Sequence, residues 1–151
     1  MSIINILFEN LAQQLELESL KLNNEGHLTL MDDDIPVDFQ SCNEDKNLCI
    51  YFEAGFLEED CSPKKLEVLL MANYFGLETR GFNLALEPGT RALVLSRMFS
   101  INELDVSQVL ETLDFIPELH HEIQALAEIE SKDFSNTTLS RDAAASTMIR
   151  I

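Results

Sequence analysis

His120-His121, flanked by Glu118 and Glu122, is the cluster in this chain with the best claim to metal chemistry. Adjacent side chains on a helix point about 100° apart, so the two imidazoles cannot grip one ion. The i, i+3 pair Glu118 and His121 could supply two ligands, with a third drawn from elsewhere. A solvated helix face is the plainer reading of all four residues. Asp32-Asp33-Asp34 lacks the glycine and the distal glutamate of an EF-hand loop, and reads as a charged turn. His27 opens a strand, as a surface or hydrogen-bonded residue rather than an acid–base catalyst. Cys61 precedes a helix start, where the dipole would lower a thiol pKa; no histidine lies near it in sequence, so it reads as inert. With Cys42 and Cys49 it makes an odd set without C-x-x-C spacing, which suits reduced thiols in a cytosolic protein. Phosphate-loop, dinucleotide and nucleophile-elbow motifs are missing. No catalytic residue, metal or cofactor is assigned, and the chain reads as non-enzymatic.

The stretch with most to say is Ser62 to Arg97. Ser62 suits an N-cap and Pro63 the first helical position, where a missing N–H costs nothing. Gly76 can take the left-handed conformation that ends the helix after Phe75. Between them Leu66, Val68, Leu69, Leu70, Met71, Ala72, Tyr74 and Phe75 occupy nearly the whole circumference. A helix on one sheet needs one apolar stripe, whereas a helix apolar all round must be covered on two sides. A second copy of the chain is the natural second cover, so this helix is expected to be a homodimer seam. Phe82 to Leu86 and Ala92 to Ser96 follow as a hairpin, with Pro88-Gly89 fitting the centre of a type II turn.

Around that stretch the periodicities are plain. Ile4, Leu7, Phe8, Leu11 and Leu15 share one face of a helix over 3–17. Strands are expected at His27–Met31, Ile35–Ser41 and Leu48–Ala54. Short links make them an antiparallel meander with one wet and one dry face. Ser100-Ile101-Asn102-Glu103 matches a capping box for a last helix through Val106, Leu113 and Leu126. Pro117 predicts a kink or break at Ile116. The order is helix, three-stranded antiparallel meander, helix, β-hairpin and long C-terminal helix, an α+β fold. Residues 1–130 form one domain, and 131–151, poor in periodicity, read as a flexible tail.

The 151 residues are 46% hydrophobic with a formal charge of −17 at pH 7, enough apolar content for a core. That charge repels nucleic acid and anionic membranes, neither of which is expected as a partner. No apolar run is long enough to cross a bilayer, and MSIINILFENLAQQ lacks the basic lead of a secretion signal. Lys132, Arg141 and Arg150 against Asp133 and Asp142 leave the acidity with residues 1–130.

An acidic, helix-first chain with Leu69-Leu70-Met71-Ala72-Asn73-Tyr74-Phe75 on a middle helix, a FNLALEPGTRALVL hairpin and a long closing helix resembles the class I effector chaperones of bacterial type III secretion, the Tir chaperone family. The resemblance covers about residues 1–130. It implies a cytoplasmic bacterial homodimer without enzymatic activity. Such a dimer holds the N-proximal segment of a secreted effector extended and secretion-competent, with the secretion-apparatus ATPase as a further partner. Seam residues would be Leu69, Met71, Ala72 and Phe75 with Leu84 of the hairpin. Effector contacts would come from Ile4, Phe8 and Leu11 on the first helix and Val37, Phe39 and Ile50 on the early strands. Competing readings are a dimeric regulatory domain for a folded partner, and a small-molecule binder or enzyme. The latter needs a pocket of converging polar groups, for which the sequence offers no cluster.

Overall fold

The computed structural model describes residues 2–129; the segment expected as a tail lies outside them. Helix α1 spans Ile3–Gln14, and the Ser2 hydroxyl accepts the Asn5 N–H at its start. Strands β1 (His27–Asp32), β2 (Ile35–Cys42) and β3 (Asn47–Phe56) follow as the expected meander. Helix α2 spans Pro63–Ala72, a single 3₁₀ turn covers Tyr74–Gly76, strands β4 (Asn83–Leu86) and β5 (Ala92–Ser100) form the hairpin, and α3 spans Val106–Glu128. The five strands make one antiparallel sheet in the order β1-β2-β3-β5-β4, which places the hairpin beside β3 and leaves β1 and β4 at the edges.

Alternation along the strands decides where the core sits. Val37, Phe39, Leu48, Ile50, Phe52 and Leu95 point to one face and are fully buried. Against them lie Ile4, Leu7, Phe8 and Leu11 of α1 and Val109, Ile116, Leu119 and Ile123 of α3. The opposite face carries Asp38, Gln40, Tyr51 and Glu53, as the wet side should. Asp38 there receives the Thr29 hydroxyl at 2.6 Å and faces His27 Nε2 at 2.9 Å, tying β1 to β2.

Four local expectations are corrected. Helix α2 stops at Ala72, because Phe75 itself turns left-handed (φ 51) ahead of Gly76 (φ 65). The last helix is capped by Asp105, whose carboxylate accepts the Gln108 N–H while the Gln108 side chain accepts the Asp105 N–H; Ser100 still belongs to β5. Helix α3 runs unbroken through Pro117. A proline removes one hydrogen bond, at about 3 kcal/mol, and burial of Ile116, Leu119 and Ile123 beside it outweighs that. The Pro88-Gly89 loop is not a type II turn, since the positive φ falls on Arg91 (φ 61) rather than Gly89. The Glu87 carboxylate organises it, accepting the Gly89 and Thr90 N–H groups and the Thr90 hydroxyl. Those bonds, Thr90's first, hold the Glu87 pKa below the usual glutamate value.

Candidate functional site

Helix α2 has two apolar faces, and the subunit covers one. Ser62 caps it by accepting the Lys65 N–H at 3.2 Å. Val68, Leu69 and Ala72 are buried, Leu69 within the main core. On the outer side Leu70 is 73% exposed and Phe75 is 83% exposed, flanked by Leu66, Met71, Tyr74 and Leu77. Exposed apolar groups in one continuous run are uncommon on a soluble surface and mark a contact site.

Polar and glycine chemistry fixes the end of that run. Asn73 Oδ1 accepts the Leu84 N–H at 2.9 Å, fastening the edge of β4 to the end of α2. Gly81 N–H donates to the Gly76 carbonyl at 2.9 Å. A Cβ on Gly76 would lie 3.0 Å from the Gly81 Cα, so the two backbones can meet only without a side chain there. Tyr74 and Phe75, their ring centroids 4.5 Å apart, are thereby displayed beyond the last turn.

Of the five seam residues expected from sequence, Met71 and Phe75 stand on the outer face. Leu69 and Ala72 turn inward, and Leu84 is half-buried against the core. Leu66, Leu70, Tyr74 and Leu77, none of them an expected seam residue, are exposed there as well. For Leu66, Leu70 and Tyr74 the signal is the excess of apolar circumference, which tells that two faces exist without telling which residue belongs to which; Leu77 lies past Gly76 and outside that pattern.

The six residues expected to touch an effector are all in the subunit's own core. Ile4, Phe8, Leu11, Val37, Phe39 and Ile50 are at most 3% exposed, with the Phe8 and Phe39 rings packed edge to face at 5.7 Å. One dry face of the sheet and one stripe of α1 satisfy each other, so neither is offered outward. Away from α2 and the turn after it, the large apolar side chains that reach the surface among the described residues are Ile3 and Ile6 on the back of α1, Leu17, Met31 on β1, Phe56 at the end of β3, Leu86 on β4 and Met98 on β5. Among the described residues edge strand β1 pairs with β2 alone, and on its other main-chain side the His27 carbonyl accepts the Asn23 N–H at 2.8 Å.

At the other candidates the chemistry is mostly local. His120 is half-buried, and burial, then His121, pushes its pKa down. Burial, then Asp33 and Asp114, raises the Asp32 pKa, and Asp32 Oδ2 is buried without a hydrogen-bond partner. Lys65 is buried and held at 3.1 Å by Glu58, whose pKa lies below the usual value through its own backbone hydrogen bond and then Lys65. The Cys49 thiol is pushed up by burial and then by Cys42. Among the described residues no three histidine, cysteine, aspartate or glutamate side chains converge as metal ligands, and no helix is long and apolar enough to cross a membrane.

The described residues thus form three α-helices and one five-stranded sheet, with an exposed apolar face along α2 and β1 at a sheet edge. Residues 7–121 match the Tir chaperone protein (CesT) family, and the chain belongs to it. No curated protein matches the sequence closely. Several solved structures share the fold. A chain of the Yersinia pestis type III secretion chaperone SycH in complex with a fragment of YscM2 is 24% identical, with TM-score 0.64 over 79% of this chain and 98% of that one. A chain of the Pseudomonas aeruginosa ExoU–SpcU type III secretion complex is 19% identical, with TM-score 0.66 over 80% and 97%. A chain of the HopA1–SchA chaperone–effector complex is 14% identical, with TM-score 0.68 over 82% and 94%.

Proposed function

We propose that this chain is a cytoplasmic, homodimeric type III secretion chaperone that holds the N-proximal segment of one or more effectors in an extended state. The observation that carries the reading is the outer face of α2, where Leu70 and Phe75 stand exposed although the subunit core is otherwise closed. A second copy covers that face. The dimer then presents two copies of the β1 edge and of the α1 back face with Ile3 and Ile6 to an extended client. Such a client can add a strand through main-chain hydrogen bonds and lay alternate side chains beside a helix. Family membership supports the same class of activity.

Holding a segment unfolded needs surface and mass action, not ATP, because preferential binding to the unfolded form displaces its equilibrium. The charge of −17 keeps a dimer with exposed apolar residues soluble and favours basic client segments around the contact. Delivery to the secretion-apparatus ATPase would follow as a second contact of the loaded dimer.

Co-purification from the native cytoplasm, followed by protease mapping of the complex, tests the reading. The expected result is one short protected stretch near the partner's N-terminus. An intact folded partner would favour a regulatory interaction domain instead.

A further inference from the structure

Three sulfur side chains gather on the wet face of the sheet, one from each of its three central strands. Cys49 of β3 stands directly across from Met98 of β5 on one side and from Gln40 of β2 on the other. Cys42 is the next residue of β2 on that face, and so the diagonal neighbour of Cys49. Its thiol leans toward that row. The Ser41 N–H donates to the Gly26 carbonyl on the β1 side, so the preceding residue Gln40 directs its own carbonyl toward β3. The Cys42 thiol donates to the Gln40 carbonyl at 3.6 Å, which draws Sγ back along β2 toward Cys49 and Met98. Cys42 also stands, after burial, among the causes that raise the Cys49 pKa. Both thiols are free and half-buried, and Met98 is 55% exposed.

The spacing favours an ion over a disulfide. Diagonal neighbours in an antiparallel pair lie about 7–8 Å apart at Cα, beyond the roughly 4.4–6.8 Å that a disulfide spans. A bridging metal adds a sulfur–metal bond of about 2.3 Å on each side, and closes that gap. The surrounding donors decide which metal. Among the described residues no imidazole or carboxylate joins the two cysteines as a third ligand. Asp38, two residues before Gln40 on the same face, is taken by His27 Nε2 at 2.9 Å and by the Thr29 hydroxyl at 2.6 Å. Structural zinc asks for a tetrahedral set of four nitrogen, sulfur or oxygen ligands. Two thiolates and a thioether are a softer and smaller set, of the kind that selects Cu(I).

We propose that Cys42, Cys49 and Met98 bind one cuprous ion, held by the two thiolates and the thioether. Loading releases the two thiol protons to solvent and leaves the metal as Cu(I), so no electron is transferred. The bound ion ties β2, β3 and β5 together on the face opposite the core, and by binding the folded sheet alone it stabilises that sheet. The site shares no residue with the outer face of α2, and it stands whether or not the chain carries an unfolded client.

The probe is Cu(I) itself, titrated without oxygen into the reduced full chain in competition with a colorimetric cuprous chelator. One ion per chain is expected, with three sulfur neighbours in X-ray absorption and a shift of the Met98 methyl signal in NMR. Cys42→Ser and Cys49→Ser should each abolish the competition, Met98→Leu should weaken it without abolishing it, and Cys61→Ser should leave it unchanged. Should a serine variant unfold, the Met98 methyl shift and Met98→Leu decide the matter, because that side chain is exposed and outside the core. No competition with the chelator, an unmoved Met98 methyl, or binding that survives the loss of either Cys42 or Cys49 would overturn the site. So would tighter binding of zinc than of Cu(I), or one ion per two chains, which would place the metal between copies.

Discussion

Asp32 has a carboxyl oxygen that is buried without a partner, in the field of Asp33 and Asp114. Its pKa is raised, so the native state binds its proton better than the unfolded chain does. The resulting penalty is complete above the folded pKa and disappears as pH falls below the ordinary value of 3.8. At neutral pH, Asp32→Asn is expected to stabilise the fold by roughly 0.5–1 kcal/mol, a modest figure because the site is partly solvated. Urea unfolding at pH 7 and again near pH 3 checks this, with the gain expected only at the higher pH. Exposure makes a second contrast between neighbours on α1. Ile4 is 3% exposed and Ile6 is 46% exposed. Ile6→Glu should leave thermal stability within about 0.5 kcal/mol of wild type and weaken client capture, whereas Ile4→Glu should unfold the chain. Retained capture by Ile6→Glu would remove the back of α1 from the client surface.

Helix α3 shows how packing overrides a local rule. Its residues Val109, Ile116, Leu119, Ile123 and Ala127 are buried along the sheet, and Pro117 sits among them without ending the helix. Pro117→Ala restores an N–H to the ladder and is expected to stabilise by roughly 1–2 kcal/mol in chemical denaturation. A loss of stability would mean that the proline's shape is needed against the core. The order and type of the three α-helices and five strands were legible in the sequence, though not the 3₁₀ turn at Tyr74–Gly76, because periods of 3.6 and 2 follow directly from which side of an element is dry. What escaped was set at longer range or by alternatives of equal local merit. Ser100 matched a capping box by sequence, but β5 reached past Ser96 to Ser100 because β3 was there to pair with it, and Asp105 caps the helix instead. Burial partners escaped too. An amphipathic stripe such as Phe8 and Leu11 marks a contact, and only the folded chain tells that the contact is internal.

At the scale of the whole molecule, the dry face of the sheet is closed by α1 and α3, while α2 is left half-covered. Leu66 and Leu70 on its outer side, with Tyr74 and Phe75 in the turn beyond it, leave exposed the apolar surface on which the proposed two-fold pairing would rest. Subunits of strong like charge associate only if such burial outweighs their repulsion, so the dimer should tighten as salt screens that charge. Leu70→Glu tests the patch without touching the core, because Leu70 is 73% exposed in the subunit and tolerates charge in a monomer. It should leave the circular dichroism unchanged while placing an unpaired carboxylate in the seam. Sedimentation equilibrium over a range of micromolar concentrations is the direct measurement. A wild-type mass of twice 17.1 kDa that falls to 17.1 kDa in Leu70→Glu is the expected result. A wild-type particle of 17.1 kDa throughout, with Leu70 and Phe75 left in water, would contradict the paired chaperone.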